Sequence, residues 1–294
     1  MNKFHGSKKN KSFFEGWYFK HQCEADTIAF IPGINIDSLG KKSAFIQVIT
    51  NENSYNINYD FSSFSLSKNE IKIGTNIFSD KRICVNIETK NLKIEGNVTY
   101  NEITPIKYDI MGPFSIIPFM ECNHGVISLY HKLIGSININ GMKISLDNGI
   151  GYIEKDWGTS FPKSYIWLQC NSFNGNKDSI MVSIANVPFL GNEFKGIICV
   201  VYYEGKEYRM ATYNGVKLIK CSDKVIILKK GKYKLHIQIE KDKERKLLAP
   251  NKGNMSRIIR ESAACNARFK FWIKDKLIFD LSSNGCGFEY VNEI

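Results

Sequence analysis

A hydropathy period of two constrains this chain more than any other feature. Between Lys232 and Glu240 the sequence KYKLHIQIE sets Tyr233, Leu235, Ile237 and Ile239 on one face of an extended backbone. Lys232, Lys234, His236, Gln238 and Glu240 fall on the other, which is the signature of a half-buried strand. Arg268 to Lys274 repeats the pattern with Phe269, Phe271 and Ile273. Alternation also predicts strands over 43–50, 55–61, 83–89, 92–100, 134–139, 142–146, 165–170, 179–186, 197–204, 206–213 and 224–229. Turn signals separate them: Asn140-Gly141, Asp147-Asn148-Gly149, Asn174-Gly175, Glu204-Gly205, Asn214-Gly215 and Lys230-Gly231. Asn-Gly supplies the positive φ angles that a tight hairpin needs.

Helical signal is confined to Ser256–Ala264, with Ser256 as a candidate N-cap. Strands do not alternate with long helices, and neither a Gly-rich phosphate loop nor Gly-x-Ser-x-Gly is present. A nucleotide-binding parallel sheet is therefore not expected. Many strands joined by tight turns predict an all-β chain of antiparallel barrels, which close on themselves to remove sheet edges. At 294 residues, two barrel domains packed together are expected rather than one. The division is placed at 145/146, giving residues 1–145 and 146–294. A faint internal echo supports it. Phe14-Glu15-Gly16-Trp17-Tyr18-Phe19 opens the first half, and Glu154-Lys155-Asp156-Trp157-Gly158 followed by Tyr165-Ile166-Trp167-Leu168 opens the second.

The longest apolar run, Ile197 to Tyr203, has seven residues, too few for a membrane-spanning helix, which needs roughly 20. The first 22 residues lack the apolar core of a signal peptide, so a soluble, cytoplasmic protein is expected. The eight cysteines form no C-x-x-C pair and read as free thiols. Cys122-Asn123-His124 offers only two ligands from one short stretch, so no metal is expected.

The net charge is +11, and only six of the 40 basic residues are Arg. Residues 217–246 hold 11 Lys/Arg against 4 Asp/Glu. A nucleic-acid reader would favour Arg for its bidentate contacts, so nucleic acid is not expected as a partner. Weak attraction to an anionic membrane surface fits better, against the plainer reading of a solvated lysine face. No obligate protein partner is evident.

Three segments carry candidate chemistry. In IGYIEKDWGTS, Glu154 and Asp156 point the same way from an extended backbone, with Lys155 opposite and Trp157 adjacent. Two like charges on one face, beside an apolar wall, raise a carboxyl pKa toward that of a proton donor. The alternative is a solvated turn beside a core tryptophan. In FFEGWYFK, Glu15 shares a face with Trp17 and Phe19, either as half of a structural ion pair or as a pocket group. In MGPFSIIPFMECNHGVISLYH, Glu121 and His124 stand close together. His124 reads as a pocket acid or base, or as a histidine satisfied by a backbone partner.

Together with IPGIN, ATYNG, LLAPNKGNMSRIIRES and SYIWLQCN, these segments resemble the tocopherol cyclase family over about residues 5–290. The resemblance implies two lipocalin-like barrels acting on a lipophilic molecule. It also implies a reaction without metal or redox cofactor: protonation of a trisubstituted alkene and capture of the tertiary cation by a phenol oxygen. Matched positions include Phe14, Glu15, Gly16, Trp17 and Lys20 in the first motif. In the second they include Glu154, Lys155, Trp157, Gly158, Phe161, Pro162, Trp167, Gln169 and Asn171. Plant cyclases tend to carry Asn where this chain has Asp156, which favours Glu154 as the acid. On this reading Glu154 or Asp156 donates the proton and Lys155 tunes it. Trp17, Trp157 and Trp167 line the cation path, and Glu15, His124, Gln169 and Asn171 contact substrate. The alternative is a non-catalytic carrier of a lipophilic ligand.

Overall fold

The computed structural model describes residues 4–67, 69–117, 120–173, 177–189, 192–240 and 243–292, so the Asn174-Gly175 turn lies outside the described residues. The first sheet contains β1 (Phe13–Cys23), β2 (Asp26–Ile36), β3 (Lys42–Thr50), β4 (Ser54–Asp60), β5 (Phe64–Leu66) and β6 (Glu70–Ile73). It continues with β7 (Asn76–Ser79), β8 (Arg82–Thr89), β9 (Leu92–Thr104), β10 (Cys122–Ile139), β11 (Met142–Ser145) and β12 (Ile150–Gly158). The second contains β13 (Tyr165–Cys170), β14 (Ser179–Phe189), β15 (Asn192–Tyr203), β16 (Lys206–Arg209) and β17 (Lys217–Cys221). It is completed by β18 (Val225–Lys230), β19 (Tyr233–Glu240), β20 (Arg245–Asn251), β21 (Asn254–Ile273) and β22 (Lys276–Val291). The fold is all-β, as expected. Among the described residues no helix is long and apolar enough to cross a membrane.

The two sheets share one plan. The first runs β4-β3-β2-β1-β12-β10-β9-β8-β7-β6-β5, and the second β16-β15-β14-β13-β22-β21-β19-β18-β17. In each, the last strand pairs with the first, and the two edge strands are consecutive in sequence. A 3-10 turn, Phe61–Ser63, joins β4 to β5, so the first sheet curls into a nearly closed barrel. Gly96 and Gly135 allow β9 and β10 to approach there: a Cβ on either would lie 2.2 or 2.0 Å from a carbonyl oxygen of the facing strand.

This plan moves the expected division. β12 does not open the second half. It lies between β1 and β10 and completes the first sheet. The first unit comprises residues 1–106, 122–161 and 247–258, and the second comprises residues 107–121, 162–246 and 259–294. Hydrogen bonds explain the exchanged pieces. The Gln47 amide donates to the Leu248 carbonyl at 2.9 Å and accepts from the Leu248 N–H at 2.8 Å, tying 247–258 to the first unit. In the second, Arg209 Nη2 donates to the Tyr108 carbonyl at 2.7 Å and Tyr213 donates to the Ile110 carbonyl at 3.2 Å.

The helix expected at Ser256–Ala264 is also overturned, because those residues lie within β21. About two turns of isolated helix are marginal in water, whereas in the extended segment Glu261 and Ser262 pair with Glu289 and Phe288 of β22, and the strand runs on into the stretch that pairs with β19. Free thiols were expected, and Cys170, Cys199, Cys265 and Cys286 are buried cysteines outside any disulfide.

Phe19, Ile28, Phe30, Ile46, Phe78 and Ile94 fill the first barrel. Its interior also holds a charge pair. On β1 the inward residues are Phe13, Glu15, Trp17 and Phe19, and on β12 they are Ile153, Lys155 and Trp157. Lys155 Nζ lies 2.6 Å from Glu15 Oε1, and both side chains are fully buried. The ammonium sits 5.0 Å from the Trp17 ring centroid and 5.1 Å from that of Trp157. Indole faces attract a desolvated cation, so the tryptophans share its neutralisation with the carboxylate. The second Glu15 oxygen accepts backbone N–H bonds from His5 at 2.9 Å and Gly6 at 3.0 Å. The His5 ring stacks on Trp157 at 4.2 Å. Burial pulls the Lys155 pKa down while Glu15 holds it up, with a net lowering.

Breaking such a pair strands a charge in an apolar interior. Lys155→Met or Glu15→Met is therefore expected to cost about 3–5 kcal/mol in urea unfolding, and the double replacement less than either single one. Single variants that unfold at the wild-type urea concentration would show that the pair holds nothing.

Candidate functional site

The other face of the same strands carries the paired acids. The period of two sends Tyr152, Glu154 and Asp156 away from the barrel core while Ile153, Lys155 and Trp157 point into it. In register, His124 on β10 stands opposite Asp156, and on β1 Tyr18 stands opposite Glu154 and Gly16 opposite Asp156. His124 is thereby held between the two carboxylates. Its Nδ1 donates to Asp156 Oδ1 at 2.8 Å, and its Nε2 lies 3.3 Å from Glu154 Oε2. The Tyr152 hydroxyl donates to that Glu154 oxygen at 2.6 Å.

The side chains of Glu154 and His124 are 4% and 10% exposed and that of Asp156 is 23%, so Asp156 is the edge of the cluster that meets its surroundings. Gly16 is the residue opposite it, and a Cβ there would make only ordinary contact, its nearest atom being the Pro32 carbonyl oxygen 3.9 Å away. Burial alone would depress the His124 pKa, but Glu154 and Asp156 outweigh it and hold the imidazolium well above its ordinary range. Burial raises Asp156, with His124 opposing and Glu154 reinforcing the rise. Burial and the neighbouring Glu154 keep the Tyr152 hydroxyl protonated. The result is a strand face that keeps a proton among coupled groups in a poorly solvated setting.

His124, Glu154 and Asp156 also offer three metal-ligand atoms within 4.8 Å of one another. As placed, the imidazole Nδ1 is bonded to Asp156 and Nε2 stands 3.3 Å from Glu154 Oε2, so a cation there would have to displace the His124–Asp156 contact.

The structure thus brings His124, Glu154 and Asp156 together and separates them from other residues expected beside them. Lys155 does not tune the acids, since it stands on the opposite face against Glu15. Trp17 and Trp157 flank Lys155 there and do not face Glu154 or Asp156. A strand cannot place consecutive residues on one side, which is the reason for the split. Trp167, Gln169 and Asn171 are buried in the second unit. Trp167 pairs in register with Glu289, whose carboxylate accepts the Tyr165 hydroxyl at 2.5 Å.

Sequence reasoning missed Tyr152, His5 and the Tyr165–Glu289 pair. Tyr152 was within reach, because it lies two positions before Glu154 on an evident strand. His5 gave no signal, since an irregular segment brings it over Trp157.

Solved structures similar in fold are related at low sequence identity. CghA, solved free and with Sch210972, aligns in its free form at a TM-score of 0.61 with 8% identity, covering 95% of this chain and 88% of that one. An AttH-type protein of Nitrosomonas europaea gives 0.55 and 11%, covering 94% and 92%. Kievitone hydratase of Nectria haematococca gives 0.53 and 12%, covering 95% and 88%. They support the lipocalin-like, all-β architecture. Among curated sequences, the probable chloroplastic tocopherol cyclase of Oryza sativa subsp. japonica is 25% identical over 136 residues and that of Zea mays 23%. This chain spans 29% of the length of each of those relatives, and the alignments cover 44% of it. The sequence profile described as tocopherol cyclase-like matches residues 86–291, most of the chain and all of the strand that carries Glu154 and Asp156. On that match, the chain belongs to the tocopherol cyclase-like family.

Proposed function

We propose that this chain is an enzyme that starts its reaction by protonating an alkene of a lipophilic isoprenoid or prenylquinol. The outcome is cyclisation, or hydration or isomerisation by the same first step. The observation that carries this reading is His124 held between Glu154 and Asp156 on a buried strand face. An alkene is a very weak base, so its donor must remain protonated at neutral pH and be shielded from water. The raised pKa values of His124 and Asp156 favour the first condition, and the burial of the cluster favours the second. Asp156, the most exposed of the three, is the terminal donor. His124 links it to Glu154, and Tyr152 fixes Glu154.

In the cyclisation the proton adds to the less substituted alkene carbon, and the tertiary cation is captured by a phenol oxygen of the same molecule. That oxygen loses its proton to the carboxylate, which restores the acid, so no co-reactant is consumed. In a hydration, water takes the place of the phenol. Family membership supports the substrate class. The shared fold with a protein named as a hydratase supports the breadth of outcomes.

Glu154→Gln, Asp156→Asn and His124→Gln are each expected to lower kcat on a prenylquinol about 100-fold or more. Ligand affinity, read by tryptophan fluorescence, should change little. A wild-type protein that returns the bound quinol unaltered after long incubation is a carrier, and this reading then fails.

The pH dependence follows from the same groups. Both folded-state pKa values are raised, so the stability they contribute is fully present below their ordinary values and is lost as pH rises through the raised ones. Activity and urea midpoint are expected to fall together on the alkaline side of neutrality. In Asp156→Asn the stability loss should shift to lower pH, because one of the two carboxylates holding the imidazolium is gone. Equal wild-type midpoints between about pH 6 and pH 9 would contradict the assignment.

A further inference from the structure

We infer that one end of the second sheet is a docking surface for an anionic lipid bilayer. Two hairpin tips lie side by side there. Tyr233 pairs with Ile273, and the Lys274 N–H donates to the Lys232 carbonyl at 2.6 Å, joining the β18–β19 turn to the β21–β22 turn. The tips expose Lys229, Lys232, Lys234, Lys274 and Lys276, with Asp275 as the acid among them. Lys217 extends the group from β17 as the register partner of Lys229. Among the described residues none of these lysines forms an ion pair, whereas Arg268 and Lys270 farther along β21 are bound to Asp280. Their charge is therefore directed outward.

The same tips carry amphipathic and apolar side chains. Lys234 Nζ lies 5.0 Å over the half-buried Trp272 ring, and Lys232 Nζ lies 5.5 Å over the Tyr233 ring. Leu277, the register partner of Trp272, is 45% exposed. Lysines around tryptophan, tyrosine and an exposed leucine match the layers of a bilayer surface, with phosphates outside and the glycerol and acyl boundary beneath. A nucleic-acid surface has no use for the leucine and would be read by Arg. The basic segment evident in the sequence, residues 217–246, is only part of this surface. The β21–β22 turn completes it, and only strand register places that turn there. This inference does not depend on the assignment of the acid cluster.

The test is co-sedimentation of the full chain with phosphatidylcholine vesicles, with and without about one third phosphatidylglycerol. Binding is expected to require phosphatidylglycerol and to be lost in about 0.5 M NaCl. The Lys232→Glu/Lys274→Glu/Lys276→Glu variant should bind roughly 100-fold more weakly, at about a tenfold loss or less per lysine. Leu277→Ser should weaken binding without changing its salt dependence. A control, Lys72→Glu/Lys90→Glu on the first sheet, should bind as wild type. The inference is overturned if the triple variant binds as wild type or the control loses as much. It is also overturned if a duplex oligonucleotide binds more tightly than the vesicles through the same three lysines.

Discussion

The buried contact between Glu15 and Lys155 joins the first strand of the first sheet to its last. A barrel closes only if those two strands pair, and here the pairing carries a charge pair inside an apolar interior. Neither charge is tolerable there alone, so each specifies the other's position. Trp17 and Trp157 add their ring faces to the ammonium, and the His5 and Gly6 N–H groups complete the carboxylate. The pair fixes the register of β1 against β12, and with it the positions of everything on the far face of β12.

That far face carries the acid cluster to which we assign the chemistry. Because Lys155 is fixed inward, Glu154 and Asp156 must point outward, and the register of β10 brings His124 between them. One short motif therefore serves two purposes on two sides of one strand. Its odd members, Lys155 and Trp157, hold the barrel together. Its even members, Glu154 and Asp156, hold His124 between them. The physical basis of the second role is proximity: the two carboxylates hold the His124 imidazolium well above its ordinary range despite its burial.

Much of this was legible in the chain. The strands over 232–240 and 83–89 declared themselves by alternation, and their neighbours by turn signals. The opposition of Lys155 to Glu154 and Asp156 followed from the period of two. The expectation that Lys155 and the indoles would work beside the acids ignored that same rule and did not survive. Ser256–Ala264 misled because its local composition tolerates a helix, while partners that make it a strand lie far along the chain in β22. The division near residue 145 erred for a related reason. β12 follows a turn and looks like a beginning, but strand pairing with β1 makes it an end.

The amino-acid order by itself determined the all-β class, the family and the side of each strand on which a residue falls, because those depend on local periodicity and short motifs. The tertiary structure alone decided that β12 closes the first sheet, that His124 meets Glu154 and Asp156, and that two lysine-rich hairpin tips stand together. Each of these is a matter of register between segments distant in sequence. Register is set by which buried pairs can be satisfied at once, and no local pattern records it.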